Sequence, residues 1–251
     1  MFTVLVMTSD TYTAALKPFM HLFRKYWRGA FPDMGDDTVQ EVVVAGFTPP
    51  TFLPELGRGV KFDSLGEFKD YPINRWSDSL IEALTHIQND YVVIMLEDYW
   101  LTHTVNLTSV HHAFEYMWNN PNVIKFDLAG DRRYAQDADL KYATYKTLEI
   151  IRSKEHSPYH LSLMTGMWKK QHLLEVLVPG WSPWDVEIAG TRSLSARTDL
   201  VVVGSHQWPV QHTLAFRGGD IDSLLLGELK IQDQNEMRTL GFFDPWEKPG
   251  E

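Results

Sequence analysis

The 251-residue chain has no cysteine, which excludes a disulfide framework, a thiolate metal site and a cysteine nucleophile. No apolar run reaches the ~18 residues of a membrane span. The opening "MFTVLVMTSD" has neither a basic leader nor a cleavage site and reads as a strand, so the expectation is a soluble, cytoplasmic protein. The sequon Asn106-Leu107-Thr108 is then accidental. No GxGxxG follows the first strand and no GxxxxGK[ST] occurs, which argues against a dinucleotide site or a P-loop. Positive charge is scarce as well: 23 basic against 33 acidic residues give a formal net charge of −10. Nonspecific polyanion binding is disfavoured, because it draws on many Lys and Arg contacts to phosphate. Arg24, Lys25 and Arg28 near the first helix, and Arg132 and Arg133 in a later loop, are local exceptions. Repeats and low-complexity linkers are also missing, so two halves of one compact domain are expected.

What is present alternates. "TVLVM" reads as a buried strand, and "TSDTYTAALKPFMHLFRKYW" as an amphipathic helix. "QEVVVAGF" and the shorter "GVKFDSLG" read as strands, "NRWSDSLIEALTHIQND" as a helix capped at Ser77, and "YVVIML" as a fourth strand. This β-α-β-β-α-β order predicts a largely parallel sheet covered by helices. The second half reads as a helix ending before Pro121, then the strand "NVIKFDLAG". "YATYKTLEIIR" and "YHLSLMTGMW" alternate like antiparallel strands. "KKQHLLEVLV" is a short helix stopped at Pro179-Gly180, and "DLVVVG" a late strand. The tail, 221–251, is a helix and a docking strap whose Phe242, Phe243 and Trp246 need a surface to cover.

In open α/β sheets ligands settle beyond the carboxyl ends of the strands. That rule brings three polar segments to one rim: Thr8, Ser9 and Asp10; Asp63 and Ser64; and Glu97 and Asp98 in "YVVIMLEDYW". An ionised carboxylate is costly to bury unless paired, hydrogen-bonded or metal-bound, so an acidic pair ending an apolar strand points to a site. His111-His112 is weak as a metal pair, because adjacent helical residues point apart. Trp76, Trp100 and Trp168 read as packing residues.

The ordered set "WSDSLIEAL … YVVIMLEDYWL", "YHLSLMTGMWKK … LL … PGWSPWDVE" and the later "RGG" resembles bacterial or bacteriophage family-2-like glycosyltransferases of the GT-A fold. The likeness covers roughly residues 3 to 220. It implies an α/β, Rossmann-like mixed sheet flanked by helices in a single domain, with a nucleotide-sugar half (1–104) and an acceptor half (105–220). The implied activity is transfer of a sugar from a nucleotide sugar, a UDP-sugar first, to an acceptor hydroxyl with inversion. Thr8, Ser9 and Asp10 would contact the nucleotide and Tyr12 would stack on its base. Asp63 joins the donor set by its place at the rim, and Arg75 and Arg217 would neutralise diphosphate charge. Glu97-Asp98-Tyr99 stands where the family has Asp-x-Asp. Mn²⁺ or Mg²⁺ would therefore rest on Glu97, Asp98 and diphosphate oxygens, with His212 as an added nitrogen.

An inverting transferase needs a carboxylate at the acceptor hydroxyl. "SPWDVE" offers Asp185, the first choice, and Glu187, beside Trp181 and Trp184 as flat walls. The opposing reading of the pair is acidic residues in a helix's first turn. Asp131 and Arg132 would meet the acceptor, either a glycan or, as in some bacteriophage enzymes, a hydroxymethylated DNA base. A sugar nucleotidyltransferase and a noncatalytic nucleotide-sugar binder are the other classes. The first lacks its Gly-rich, basic loop after the first strand; the second is raised by Tyr99.

Overall fold

The computed structural model describes residues 1–28, 39–57, 59–66, 73–130, 138–153, 157–217 and 220–246. Strands β1 (Phe2–Met7), β2 (Val39–Gly46), β3 (Val60–Ser64) and β4 (Tyr91–Leu96) come from the first half. They are followed by the short β5 (Tyr99–Leu101), β6 (Val123–Asp127), β7 (Ala138–Tyr145), β8 (Leu148–Ser153), β9 (Gly166–Lys169) and β10 (Val201–Ser205). One nine-stranded sheet runs through the chain in the order β3-β2-β1-β4-β9-β6-β10-β8-β7.

Strands β3, β2, β1 and β4 are parallel; β1 and β4 are buried runs, as expected inside a helix-covered parallel sheet, while the edge strand β3 is only partly buried. Beyond them the expectation of a largely parallel sheet holds only for the β6–β10 pair. Strand β9 lies antiparallel between β4 and β6, and β8 lies antiparallel on β10 and β7. The sheet is mixed. Because β4 and β6 both oppose β9, they run the same way, and their carboxyl ends share one rim with those of β1 and β2.

Side-chain alternation sorts the core into two layers. Val4, Val6, Val42, Val44, Val93 and Met95 face α1 (Leu16–Tyr26) and α3 (Leu107–Asn119). Leu5, Met7, Val43, Ala45, Val92 and Ile94 face α2 (Trp76–His86), α4 (Lys170–Val176) and α5 (Pro183–Ser195). Two sequence expectations shift locally. The first helix begins as a 3-10 turn, Asp10–Ala15, and becomes α-helical only at Leu16. Pro18 explains the break: it is tolerated in a first turn but would clash with the carbonyl four residues back in a continuous helix. In "YHLSLMTGMW" only the end is strand. Earlier backbone groups are satisfied by side chains instead: Leu161 N–H by Thr191, Leu163 N–H by Glu187, and Ser162 C=O by the buried Lys125.

The described tail contains α6 (Ser223–Leu226) and α7 (Ile231–Thr239). Phe243 is buried, tilted against Trp100, and Trp246 packs edge-on to Phe216. Asp233 of α7 is buried, accepts from the Tyr26 hydroxyl and pairs with Lys25 Nζ at 2.8 Å. Truncation would strand a buried hydroxyl, so Asp233→Ala should cost about 2–3 kcal/mol in urea unfolding. Asp233→Asn, which still accepts from Tyr26, should recover part of that loss.

Candidate functional site

At the rim, the Thr8 N–H still bonds Ala45 C=O at 2.9 Å, prolonging the β1–β2 ladder by one residue. The chain then turns. Ser9 C=O accepts from Tyr12 N–H (3.0 Å) and Thr13 Oγ1 (3.1 Å), which fixes Tyr12 over the ends of β1 and β4. A cleft opens there in two contiguous lobes of about 280 and 330 Å³, both walled by Thr8, Ser9, Tyr12, Trp76 and Trp184. The first lobe adds Glu97, Asp98, Tyr99, Leu163 and Glu187; the second adds Thr11, Phe47, Arg75 and Ser79.

Glu97 and Asp98 form the turn between β4 and β5. Burial pushes the Glu97 carboxyl well above the usual range, and the neighbouring Asp98 adds to that rise. Burial likewise pushes Asp98 up to about 6. Asp98 Oδ1 is buried with no hydrogen-bond partner among the described residues. Two desolvated carboxylates side by side, one with an orphaned oxygen, form a donor set suited to a hard divalent cation. Among the described residues no group of three His, Asp or Glu stands ready to hold a metal. His212 therefore does not complete a trio with Glu97 and Asp98. Its strand, β11 (His212–Leu214), pairs with β5, and its ring is stacked on Tyr99 at 4.6 Å.

The second carboxylate pair separates cleanly. Asp185 is an exposed capping-box residue of α5: Ser182 Oγ and N–H donate to it, which holds its carboxyl below the usual range. The first-choice base is thus a helix cap. Glu187, two residues on, faces the first lobe, and Leu163 N–H donates to its Oε1 at 2.8 Å. Trp184 is 62% exposed at the mouth of both lobes. Trp181 is half-buried packing, its backbone tied in both directions to Ser77.

Three residues expected at the donor site lie away from the cleft. Asp10 is exposed and points to the loop after β2, accepting from Thr48 N–H (3.0 Å) and Oγ1 (2.9 Å). Asp63 still lies within the edge strand β3 and is engaged by His86 at 2.9 Å. Arg217, in the small hairpin of β12 (Phe216–Arg217) and β13 (Asp220–Ile221), is exposed and pairs with Asp222 at 3.1 Å. None of the three lines the cleft. Arg75 does line the second lobe, braced by Asp78 at 2.7 Å, and Asp78 also accepts from Gly180 N–H at 2.8 Å. Asp131 and Arg132 lie outside the described residues. Sequence reading missed Trp76 and Leu163 as lining. Trp76 carried a signal, because it opens the helix that follows Arg75 directly.

No protein-family model and no curated protein matches the chain. Solved structures do. The mannosyltransferase PcManGT from Pyrobaculum calidifontis, in complex with GDP-Man and Mn²⁺, is 16% identical, with 82% of this chain and 55% of that chain covered and a TM-score of 0.48. S. aureus TarS 1–349 in complex with UDP is 13% identical, covering 82% and 58%, TM-score 0.47. A CMP:2-keto-3-deoxy-manno-octonic acid synthetase complexed with CTP is 12% identical, covering 81% and 88%, TM-score 0.47. The chain spans little more than half of the first two. At such identities and scores, function must be read from the rim residues and not from these likenesses.

Proposed function

We propose that the chain is a nucleotide-sugar-dependent glycosyltransferase working with inversion. The observation that carries this reading is the first lobe: Glu97 and Asp98 on one wall, Glu187 on another, with aromatic rings between them. Thr8, Ser9 and Tyr12 hold the nucleoside, and Arg75 reaches toward the diphosphate. Glu97 and Asp98 would hold Mn²⁺ or Mg²⁺, which when bound would supply screening of the diphosphate charge. Glu187 takes the proton of the acceptor hydroxyl while that oxygen bonds to the anomeric carbon. The bond from that carbon to the diphosphate oxygen breaks, and the nucleoside diphosphate leaves with the electron pair. Leu163 N–H keeps the Glu187 carboxylate turned to the lobe, which is what a general base needs.

Incubation with UDP-sugars and other nucleotide sugars, with and without Mn²⁺, tests the reading by its products. Release of nucleoside diphosphate supports it. Pyrophosphate formed from a nucleoside triphosphate and a sugar phosphate would identify a nucleotidyltransferase. Thermal stabilisation by nucleotide sugars without turnover would identify a noncatalytic binder. Trp184→Ala should leave unfolding unchanged, because the ring is exposed. Loss of an aromatic face worth about 1 kcal/mol should raise the apparent substrate Kd about fivefold, measured by calorimetry.

A further inference from the structure

A second cleft of about 340 Å³ lies beyond the wall made by the Tyr99–His212 stack. Tyr99 lines the first lobe, and His212 lines this second cleft. Leu163 and Met164, consecutive residues, divide in the same way. The volume is typical of ligand clefts, ~300–1,000 Å³. Its lining includes the indole of Trp208, which packs against Gly130: a methyl group added at Gly130 would sit 2.8 Å from the indole. The loop bearing Trp208 is sewn down on both flanks, His206 N–H to Glu149 C=O at 3.1 Å before it and Val210 N–H to Leu128 C=O at 3.0 Å after it. Around this fixed ring stand Gln211, His103, His212 and Glu228.

We infer that this cleft holds the acceptor, and that the acceptor is a neutral saccharide; the inference rests on the donor reading of the first cleft. A sugar ring presents a C–H face and a rim of hydroxyls. A pinned indole meets the face, and planar amide, imidazole and carboxylate groups meet the rim. Glu228 and the net charge of −10 work against a phosphodiester backbone. The shared Tyr99–His212 wall puts a saccharide bound here next to the lobe that contains Glu187, and the assignment requires one of its hydroxyls to reach past that wall.

Saturation-transfer NMR with maltohexaose, cellohexaose, chitohexaose and xylohexaose tests this without turnover. At least one should bind the parent protein. Trp208→Ala should weaken it about tenfold or more. Gly130→Ala, which keeps the indole but forces it out of place, should weaken it as well, so the outcome does not hang on one variant's folding. Both variants should keep the parent's thermal shift with UDP and Mn²⁺. No binding by the parent, or unchanged binding in both variants, overturns the assignment. So does retention of a 5-hydroxymethylcytosine duplex that salt weakens steeply and Trp208→Ala abolishes, which would make the occupant nucleic acid. A parent that fails to bind UDP with Mn²⁺ would instead sink the donor reading and leave the saccharide result standing.

Discussion

Glu187→Gln should lower sugar transfer by about 10²–10⁴-fold, the usual loss when a positioned general base is removed, while donor affinity stays near the parent's. The amide still accepts from Leu163 N–H, so the side chain keeps its place facing the lobe. The neighbouring Asp185→Asn should behave in the opposite way. It weakens a capping box, which lowers stability, and leaves the rate per folded molecule almost unchanged. The pair forms a crossed test, with rate changed at one residue and stability at the other. Transfer at the parental rate by Glu187→Gln would remove Glu187 from the chemistry. A rate collapse in Asp185→Asn with normal stability would restore the residue that the sequence alone favours.

That reversal shows where sequence reading stops. The acidic pair at the end of "YVVIML" was legible, because a fully apolar strand ending in two carboxylates is hard to explain by packing alone. The strands β1 and β4 were legible for the same reason: their runs are buried on both faces. The rule that ligands sit at the carboxyl rim located the cleft but not the direction of each side chain. Asp10, Asp63 and Glu97 all lie near strand ends, yet only Glu97 turns into the cleft. A one-residue change along a strand reverses the face presented.

The alternation of "YHLSLMTGMW" pointed to an antiparallel strand and β9 is one, but nothing in the pattern placed it between β4 and β6. What does carry a record of that place is Gly166. A side chain there would overlap Lys125, whose ammonium group is fully buried, paired with Asp127 and bonded to Ser162 C=O at 2.7 Å. A buried lysine in "NVIKFD" demanded a partner from the start, and the strand two places along β6 supplies it. The same logic separates Asp185 from Glu187. Ser182-Pro183-Trp184-Asp185 has the spacing of a capping box with Pro at the first helical position. Read that way, Asp185 is already occupied, and Glu187 is left for the cleft.

In chelator, the protein's Asp98 should make the fold less stable as the pH rises from 4 to 7. The carboxyl is pushed up to about 6 in the folded chain against an ordinary 3.8. The folded state therefore binds the extra proton, and the stability it contributes is complete below pH 4 and lost as the pH passes 6. The size is about 3 kcal/mol. Glu97, raised well above its usual range by burial and by Asp98, acts with the same sign. Carboxylates with depressed values, such as Asp199 at about 2 beside Arg197, act with the opposite sign. The quantity to measure is thus the difference between parent and Asp98→Asn in urea unfolding across that range. The variant should be the more stable protein at pH 7 and lose its advantage by pH 4. Mn²⁺ should replace the missing proton. It should raise the parent's Tm at pH 7, do little at pH 5 where protons compete for the same oxygens, and do little at either pH in Asp98→Asn. An equal Mn²⁺ shift in parent and variant would place the cation elsewhere. Two carboxylates kept dry at a strand end weaken the empty protein, and they are ready to hold a charged donor once a cation arrives.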